Sequence, residues 1–213
     1  MTPRFYPSLF VPLSFLGMFL AVVLLRPLLP IDETRYVTVA WEMFLRHDPL
    51  APLTVNGTPY HHKPPLLFWL INAFWALTGE PSRWAATIPP FLAAAASVFL
   101  GGRIARALFG DKDGIAARTP LVMMGGLAFL VYGSMVMFDV TLTVFVLASL
   151  LVLLDFAQKP RFRAVLLMAL LLGLGVLTKG PVAYLYVIFP MLLGPVWHAA
   201  PVKQGISYGG FLL

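Results

Sequence analysis

The sequence is short of two things, cysteine and charge. None of its 213 residues is a cysteine, which excludes disulfides and thiolate metal sites. Only 11% of the residues are charged, which excludes an ordinary water-soluble globule, where about 25% are charged. By contrast, 60% are hydrophobic, and several apolar runs approach the roughly 20 residues with which a helix crosses a bilayer. The composition therefore predicts an all-α polytopic membrane protein.

Apolar windows bounded by charges predict about six complete spans and the start of a seventh. The predicted spans are Leu9 to Leu25, Trp84 to Gly102, Leu121 to Phe138, Val140 to Phe156, Ala164 to Thr178, Val182 to Trp197 and a last run that begins at Gly205. A shorter run, Leu66 to Leu77, has a length typical of an interfacial or re-entrant helix. The polar stretch after the first span, about residues 26–64, is predicted to be the first outer loop.

The few charges predict how the chain is oriented. Two short basic loops, within residues 103–118 and 159–163, are expected on the cytoplasmic side because positive charge accumulates there. Alternation of the spans then places Asp139, Lys179 and the loop of residues 26–64 on the outer side. On this assignment nine basic and three acidic residues lie inside and six of each lie outside, so the whole net charge of +6 falls on the inner side.

The outer loop begins with a predicted helix from Glu33 to about Arg46. Asp32 precedes it, and the residues alone leave open whether Asp32 is a plain N-cap or a catalytic carboxylate, because aspartate is a preferred cap in any protein. Apolar residues on one face predict that the helix lies along the membrane surface. These residues are Val37, Ala40, Trp41 and Phe44.

Three further features carry candidate chemistry. After the turn dipeptide Asn56-Gly57, the segment Tyr60-His61-His62-Lys63 is suited to bind phosphate or a metal, although Lys63 alone would also fit a lysine that reaches the headgroups. Asp139 is the only charged residue between Arg118 and Asp155, and an ionisable residue in such a run is commonly functional; the alternative is an exposed turn between two helices. Lys179 ends a predicted helix and has the same two interpretations as Lys63.

Taken in order, these motifs resemble those of the GT-C membrane glycosyltransferases, and most closely the bacterial protein-mannosyltransferase-like and lipid A aminoarabinose transferase-like enzymes. The resemblance extends from about Ile31 to Pro181. The motifs are Asp32-Glu33-x-Arg35-Tyr36, then Asn56-Gly57-x-x-Tyr60-x-x-Lys63-Pro64-Pro65-Leu66, then the isolated Asp139, then Thr178-Lys179-Gly180-Pro181.

The resemblance implies a GT-C-type transmembrane helix bundle with juxtamembrane helices in the first outer loop. Residues 1–213 would be the amino-terminal part of one such domain, with the carboxy-terminal remainder missing. It also implies a multi-pass protein of the cell (inner) membrane whose site faces the periplasm or the outside. The expected partners are a polyprenyl-phosphate-linked sugar donor, a lipid, glycan or protein acceptor and membrane lipids, and no nucleic acid.

The resemblance also implies roles for individual residues. The expected catalytic carboxylates are Asp32, as the base toward the acceptor, and Asp139; the expected donor-phosphate ligands are Lys63, Arg35 and His62; and the expected substrate-positioning residues are Glu33, Tyr36, Tyr60 and Lys179. No cofactor is implied with certainty, and a divalent metal stays open. His61-His62 stands where relatives often carry an acidic or other polar residue, which puts in doubt a metal requirement taken from them.

Two other functions stay open at this point. The first is a transporter in which Asp139 and Lys179 line a solute path, since transporters often carry charges at broken helices. The second is a lipid-linked oligosaccharide polymerase or ligase. The clustering of charge at one predicted face, beside a long polar loop, favours an interfacial transferase site over a transport path.

Overall fold

The computed structural model describes residues 7–50, 53–110 and 114–197, so the predicted run from Gly205 lies outside the described residues. Within these ranges the chain forms helices and a single two-stranded hairpin. The helices are α1 (Pro7–Leu25), α2 (Asp32–Arg46), α3 (Leu66–Thr78), α4 (Arg83–Phe109), α5 (Ile115–Gly125), α6 (Leu127–Tyr132), α7 (Phe138–Gln158), α8 (Phe162–Lys179), α9 (Val182–Leu192) and α10 (Gly194–Trp197), and the strands are β1 (Thr54–Val55) and β2 (Thr58–Pro59). The predicted all-α architecture is confirmed.

Three helices, α4, α7 and α8, are long and apolar enough to cross a membrane by length and composition. At 27 residues, α4 is about 40 Å long. It begins at Ser82, whose hydroxyl accepts a hydrogen bond from the amide of Ala85, and it ends at Gly110, whose φ is +67°. Helix α7 packs against both α4 and α8. Small residues let neighbouring helices approach closely, as Gly175 on α8 does next to Ala183 on α9.

Two predicted spans are wrong in their continuity. The run from Leu121 to Phe138 is divided between α5 and α6 and then ends at Tyr132, because Gly126 adopts an extended conformation between the two helices. The run from Val182 to Trp197 stops at Leu192 and continues as the short helix α10. Hydropathy windows register apolar content but not the low helix propensity of paired glycines, which explains the first error.

Residues of α2 and α3 share one core with the starts of α4 and α7. The run from Leu66 to Leu77, predicted to be a short interfacial or re-entrant helix, forms the short helix α3, with Leu67, Phe68 and Ile71 fully buried. On α2, the face predicted to lie along the membrane surface is divided, because Trp41 is 46% exposed whereas Ala40 is buried. The residues of α2 that pack into this core are Tyr36, Val39, Ala40 and Met43, with Val37 and Phe44 at its edge.

The predicted turn Asn56-Gly57 is confirmed as the tip of the hairpin. Both residues have positive φ, as a two-residue hairpin loop requires, and β1 and β2 pair antiparallel on either side. Glu42 of α2 holds the tip, since its carboxylate accepts hydrogen bonds from the Thr54 hydroxyl and the Gly57 amide. This brings the chain back toward α2 before it enters α3.

Candidate active site

The structure brings the predicted site residues of four separate segments to one end of the bundle. The ring of Tyr36 on α2 meets the ring of Phe138 on α7 edge-on at 4.9 Å. The ammonium of Lys63, from the loop before α3, lies 5.9 Å from the centroid of the same Phe138 ring. The next residue, Asp139, forms an ion pair with Lys179 at the end of α8. Phe138 is therefore the meeting point of the outer loop and the bundle.

Asp32 does not cap α2, so the N-cap interpretation is wrong. The helix begins at Asp32 itself, and Ile31 before it makes no side-chain capping bond. The carboxylate instead accepts a hydrogen bond from Arg35 one turn later, and its side chain is about half exposed. Its charge also lies at the helix N-terminus, where the helix dipole favours it. The structure therefore presents Asp32 as an oriented and accessible carboxylate.

Glu33, the next residue, is buried, and both of its carboxylate oxygens accept hydrogen bonds from other groups of the protein. Its Oε1 accepts hydrogen bonds from Arg26 Nη2 at 3.0 Å and from the Val136 amide at 2.6 Å. Its Oε2 accepts from Arg26 Nη1 at 2.5 Å and from the Leu29 amide at 2.9 Å. Burial alone would raise the pKa of this carboxyl, but these hydrogen bonds hold it below its ordinary value. The substrate contact expected of Glu33 would require one of them to break.

Asp139 lies in the first turn of α7 and not at the predicted turn between two helices, because the non-helical segment ends at Met137. Its side chain is 51% exposed, and that of its partner Lys179 is 27% exposed. The acidic residue thus starts one helix and the basic residue ends the next, as both helix dipoles prefer. Asp139 also lines two mainly apolar cavities of about 200 and 280 Å³.

Arg35 and Tyr36 form a polar group beside Asp32. The hydrogen bond with Tyr36 and the charge of Asp32 hold the pKa of Arg35 above its ordinary value, whereas burial raises that of Tyr36. The guanidinium carbon of Arg35 lies 5.5 Å from the Tyr36 ring centroid. Its Nε is buried without a hydrogen-bond partner among the described residues. Arg35 is therefore a cation held in place by Asp32 and Tyr36.

The segment before α3 contributes an aromatic contact and a cation. The ring of Tyr60 lies 5.2 Å from that of His62, and burial raises the pKa of Tyr60 to about 12, so its hydroxyl stays protonated at neutral pH. His62 is exposed and Lys63 is half-buried. Within the part of the chain that the structure describes, no group of three His, Cys, Asp or Glu residues is placed to hold a metal ion.

Sequence reasoning missed Arg26, which joins three segments. Besides the two bonds to Glu33, its Nη2 donates to the carbonyl of Ser134 at 2.6 Å, and its own carbonyl accepts from Arg83 Nη1 at 3.0 Å. An arginine directly after an apolar span is usually assigned to the headgroups. The only hint of a pair in the sequence was that Arg26 and Glu33 are seven positions apart. Periodicity within a helix or strand does not predict a contact between residues on either side of a turn.

Comparison with known proteins identifies the family. Residues 62–213 match the family model described as dolichyl-phosphate-mannose-protein mannosyltransferase. The chain is 31% identical over 182 residues to the undecaprenyl phosphate-alpha-4-amino-4-deoxy-L-arabinose arabinosyl transferase of Pseudomonas aeruginosa. The matched segment covers 84% of this chain and 32% of the relative. A Pseudomonas fluorescens protein, named as arabinosyl transferase 2, is 31% identical over 183 residues, which is 84% of this chain and 30% of that protein.

Two crystal structures share the fold. They are ArnT from Cupriavidus metallidurans in the apo state, with a TM-score of 0.74, and the same protein bound to undecaprenyl phosphate, with a TM-score of 0.75. Each is 22% identical, and the match covers 95% of this chain and 39% of that one. This chain spans about a third of the length of the curated relatives that it matches. The predicted GT-C bundle is thus confirmed, and the chain belongs to the dolichyl-phosphate-mannose-protein mannosyltransferase family of GT-C membrane glycosyltransferases.

Proposed function

We propose that the protein takes part in transferring a sugar from a polyprenyl-phosphate donor to a lipid, glycan or protein acceptor at the membrane surface. The observation that carries this proposal is that Tyr36 on α2 and Lys63 both contact Phe138 at one end of the bundle, where Asp139 pairs with Lys179. Asp32 lies one turn before Tyr36 on the same helix. The relatives are named for an aminoarabinosyl group on undecaprenyl phosphate, so that donor is the first to test. Membership of a transferase family argues against the transporter considered above.

The proposed reaction is a direct displacement at the anomeric carbon. An acceptor hydroxyl or amine attacks that carbon, its proton passes to the carboxylate of Asp32, and the bond from the anomeric carbon to the phosphate oxygen breaks with its electron pair on oxygen. The accessible position of Asp32 beside Arg35 suits a base. General-base catalysis of this kind contributes about 10²- to 10⁴-fold in rate.

The leaving group in this reaction is a polyprenyl phosphate, whose growing negative charge has to be stabilised. Lys63 is the first choice for this role because its half-buried ammonium is held over the Phe138 ring, next to Asp139. Arg35, whose side chain is 31% exposed, adds a second cation, and the exposed His62 next to Lys63 in the sequence is a further donor.

Asp139 is proposed to orient the acceptor or the sugar from the α7 side, with its position fixed by Lys179. The apolar cavities that Asp139 lines offer room for part of an alkyl or prenyl chain close to the reacting groups. Tyr36 and Tyr60 are buried beside Arg35, so their proposed substrate-positioning role is indirect and acts by holding Arg35 in place.

The side of the membrane follows from the helix directions combined with the distribution of charge. Helix α7 begins and α8 ends at the site, so the basic turn at residues 159–161 lies at the opposite end of both. Positive charge favours the cytoplasm for that turn, which supports a site that faces the periplasm or the outside of the inner membrane. Reporter fusions after Asp139 and after Lys159 should therefore report opposite sides, and a report of the same side for both would refute this orientation.

The activity is tested in membranes with labelled undecaprenyl-phosphate aminoarabinose. The chain is assayed by itself and as a fusion in which it replaces the matching segment of the Pseudomonas aeruginosa relative. We expect transfer with the native segment and its loss with Asp32→Asn and with Lys63→Ala. The control is Lys159→Ala at the opposite end of α7, which should keep transfer. Transfer at the native level in both site variants would refute the proposed mechanism.

A further inference from the structure

The two neighbouring acidic residues at the start of α2 have opposite environments. Asp32 is about half exposed and has one side-chain partner, whereas Glu33 is 1% exposed and accepts four hydrogen bonds. A carboxylate has about four lone-pair sites, so Glu33 is saturated. It has no acceptor site left for a substrate, and its function has to be sought in what it holds together.

Glu33 and Arg26 connect the end of α1 and the start of α2 to a segment about a hundred residues later. The carboxylate joins the first turn of α2 to the amide of Val136, just before α7. The guanidinium joins the end of α1 to the carbonyl of Ser134 in the same segment. Both connections are short; the one to Val136 is buried and the one to Ser134 is partly buried. We call this group of Arg26, Glu33, Ser134 and Val136 the clamp.

The clamp lies next to both proposed catalytic carboxylates. Glu33 follows Asp32 directly, and Val136 is three residues before Asp139. The segment of residues 133–137 that precedes α7 is not helical, so helix bonds alone do not fix its relation to α2. The clamp, the contact of Tyr36 with Phe138 and the apolar core that Val136 and Phe138 share with α2 together tie this segment to α2. The clamp is the polar part of this connection.

We infer that Arg26 and Glu33 are positioning residues that set the separation between Asp32 on α2 and Asp139 on α7. The catalytic consequence rests on the proposed function, whereas the geometric statement does not. For transfer to an acceptor held between two groups, a misplacement of about 1 Å can cost about 10²-fold in rate. The pair acts through the two aspartates and touches no substrate itself.

Replacement of Glu33 by glutamine tests this inference because it keeps the shape and changes only the chemistry. One carboxylate oxygen becomes an NH₂ group, which would face either Arg26 and the Val136 amide or Arg26 and the Leu29 amide. In both orientations the new NH₂ group, which is a hydrogen-bond donor, faces two other donors and can accept a hydrogen bond from neither. We therefore expect α2 and the segment before α7 to separate, while both aspartates keep their own ion pairs.

The distance between the two elements can be measured directly because the chain has no cysteine of its own. Spin labels are attached to Thr34→Cys on α2 and Thr143→Cys on α7, both exposed positions. We expect a narrow distance distribution in the native background, and a shifted or clearly broader one with Glu33→Gln. The matched control is Glu42→Gln, which removes another hydrogen-bonded carboxylate from the same helix. Glu42 accepts from the Thr54 hydroxyl and the Gly57 amide and makes no hydrogen bond with the clamp among the described residues, so its replacement should leave the distribution unchanged.

A second variant guards against a failure of Glu33→Gln to fold. Arg26→Lys keeps the positive charge but replaces a fork of donors by one ammonium, which cannot serve both Glu33 oxygens and the Ser134 carbonyl in the same geometry. It should shift or broaden the same distribution. Unchanged distances in every folded clamp variant would overturn the inference.

Kinetics in the fusion with the Pseudomonas relative then separate this inference from the proposed function. We expect Glu33→Gln to lower kcat about 10²-fold with a nearly unchanged KM for the donor, and Asp32→Asn to abolish transfer without changing the label distance. A fusion with the native segment that transfers no sugar would refute the proposed function, and the label distances would still decide whether the clamp exists. A clamp variant with altered distances and native kcat would overturn the positioning role.

Discussion

Replacement of Asp32 by asparagine should separate catalysis from stability. The change keeps the size of the side chain and removes its charge and its ability to accept a proton. Because Asp32 is about half exposed and has a single ion-pair partner, Arg35, the protein should tolerate the loss. The proposed base, by contrast, has no substitute at this position, since the neighbouring Glu33 is buried and saturated with hydrogen bonds.

The two expected magnitudes differ enough to be distinguished. An exposed ion pair contributes about 0.2–1 kcal/mol to stability, and the interaction of the charge with the helix N-terminus adds about 0.3–1 kcal/mol. The unfolding free energy should therefore fall by less than about 2 kcal/mol. Loss of general-base catalysis should lower the rate by about 10²- to 10⁴-fold, which corresponds to about 2.7–5.5 kcal/mol in the activation barrier.

The assay combines transfer of labelled sugar in the fusion with thermal unfolding of the same preparation. Asp48→Asn is the matched control, because Asp48 is an exposed aspartate of the same outer loop that accepts a hydrogen bond only from a nearby amide among the described residues. Asp48→Asn should keep both transfer and stability. The reasoning is refuted if Asp32→Asn keeps more than about a tenth of native transfer, or if its loss of activity merely follows a loss of folded protein.

Three further predictions follow from the same geometry. Lys63→Ala should weaken binding of undecaprenyl phosphate about 10-fold or more, as measured by retention of labelled lipid, because a charged donor to phosphate is lost, whereas Lys159→Ala should not. The pKa of Glu33 is lowered on folding. The stability that its ionised form contributes is therefore complete above its unfolded pKa of about 4.3 and is lost as the pH falls through its folded pKa. The unfolding free energy of Glu33→Gln should depend less on pH in that acidic range than that of the native protein. Gly175→Ala should destabilise the protein by about 1–3 kcal/mol because its new Cβ would lie 2.9 Å from a side-chain carbon of α9, whereas Gly173→Ala, with nothing within 4 Å, should unfold like the native protein.

The helical pattern was predictable where one local property decides it. The bounds of α3 and α8 agree with the predicted ones within about two residues because each run is apolar and is closed by a glycine. The break between α5 and α6 was not predicted from hydropathy, since glycines count there as neutral residues and not as helix breakers. For α2 the apolar face was predicted to lie along the membrane surface, and the sequence did not indicate that Ala40 of that face packs into the core with Tyr36 and Met43 while Trp41 stays exposed.

Among the site residues, the sequence indicated types and order but not partners. The isolated position of Asp139 marked it as a candidate, and its ion pair with Lys179 is a contact between residues 40 apart. The different environments of Asp32 and Glu33 could not be read from two adjacent acidic residues. They depend on Arg26 and on the amide of Val136, which is 103 residues from Glu33.

The sequence by itself determined that this is a helical membrane protein, because hydropathy acts on each segment independently of its neighbours. Tertiary structure alone decided which charge serves which purpose. Exposure and hydrogen-bond partners are properties of packed segments, and they leave Asp32 accessible, commit Glu33 to the clamp, and gather Lys63 and Asp139 around Phe138.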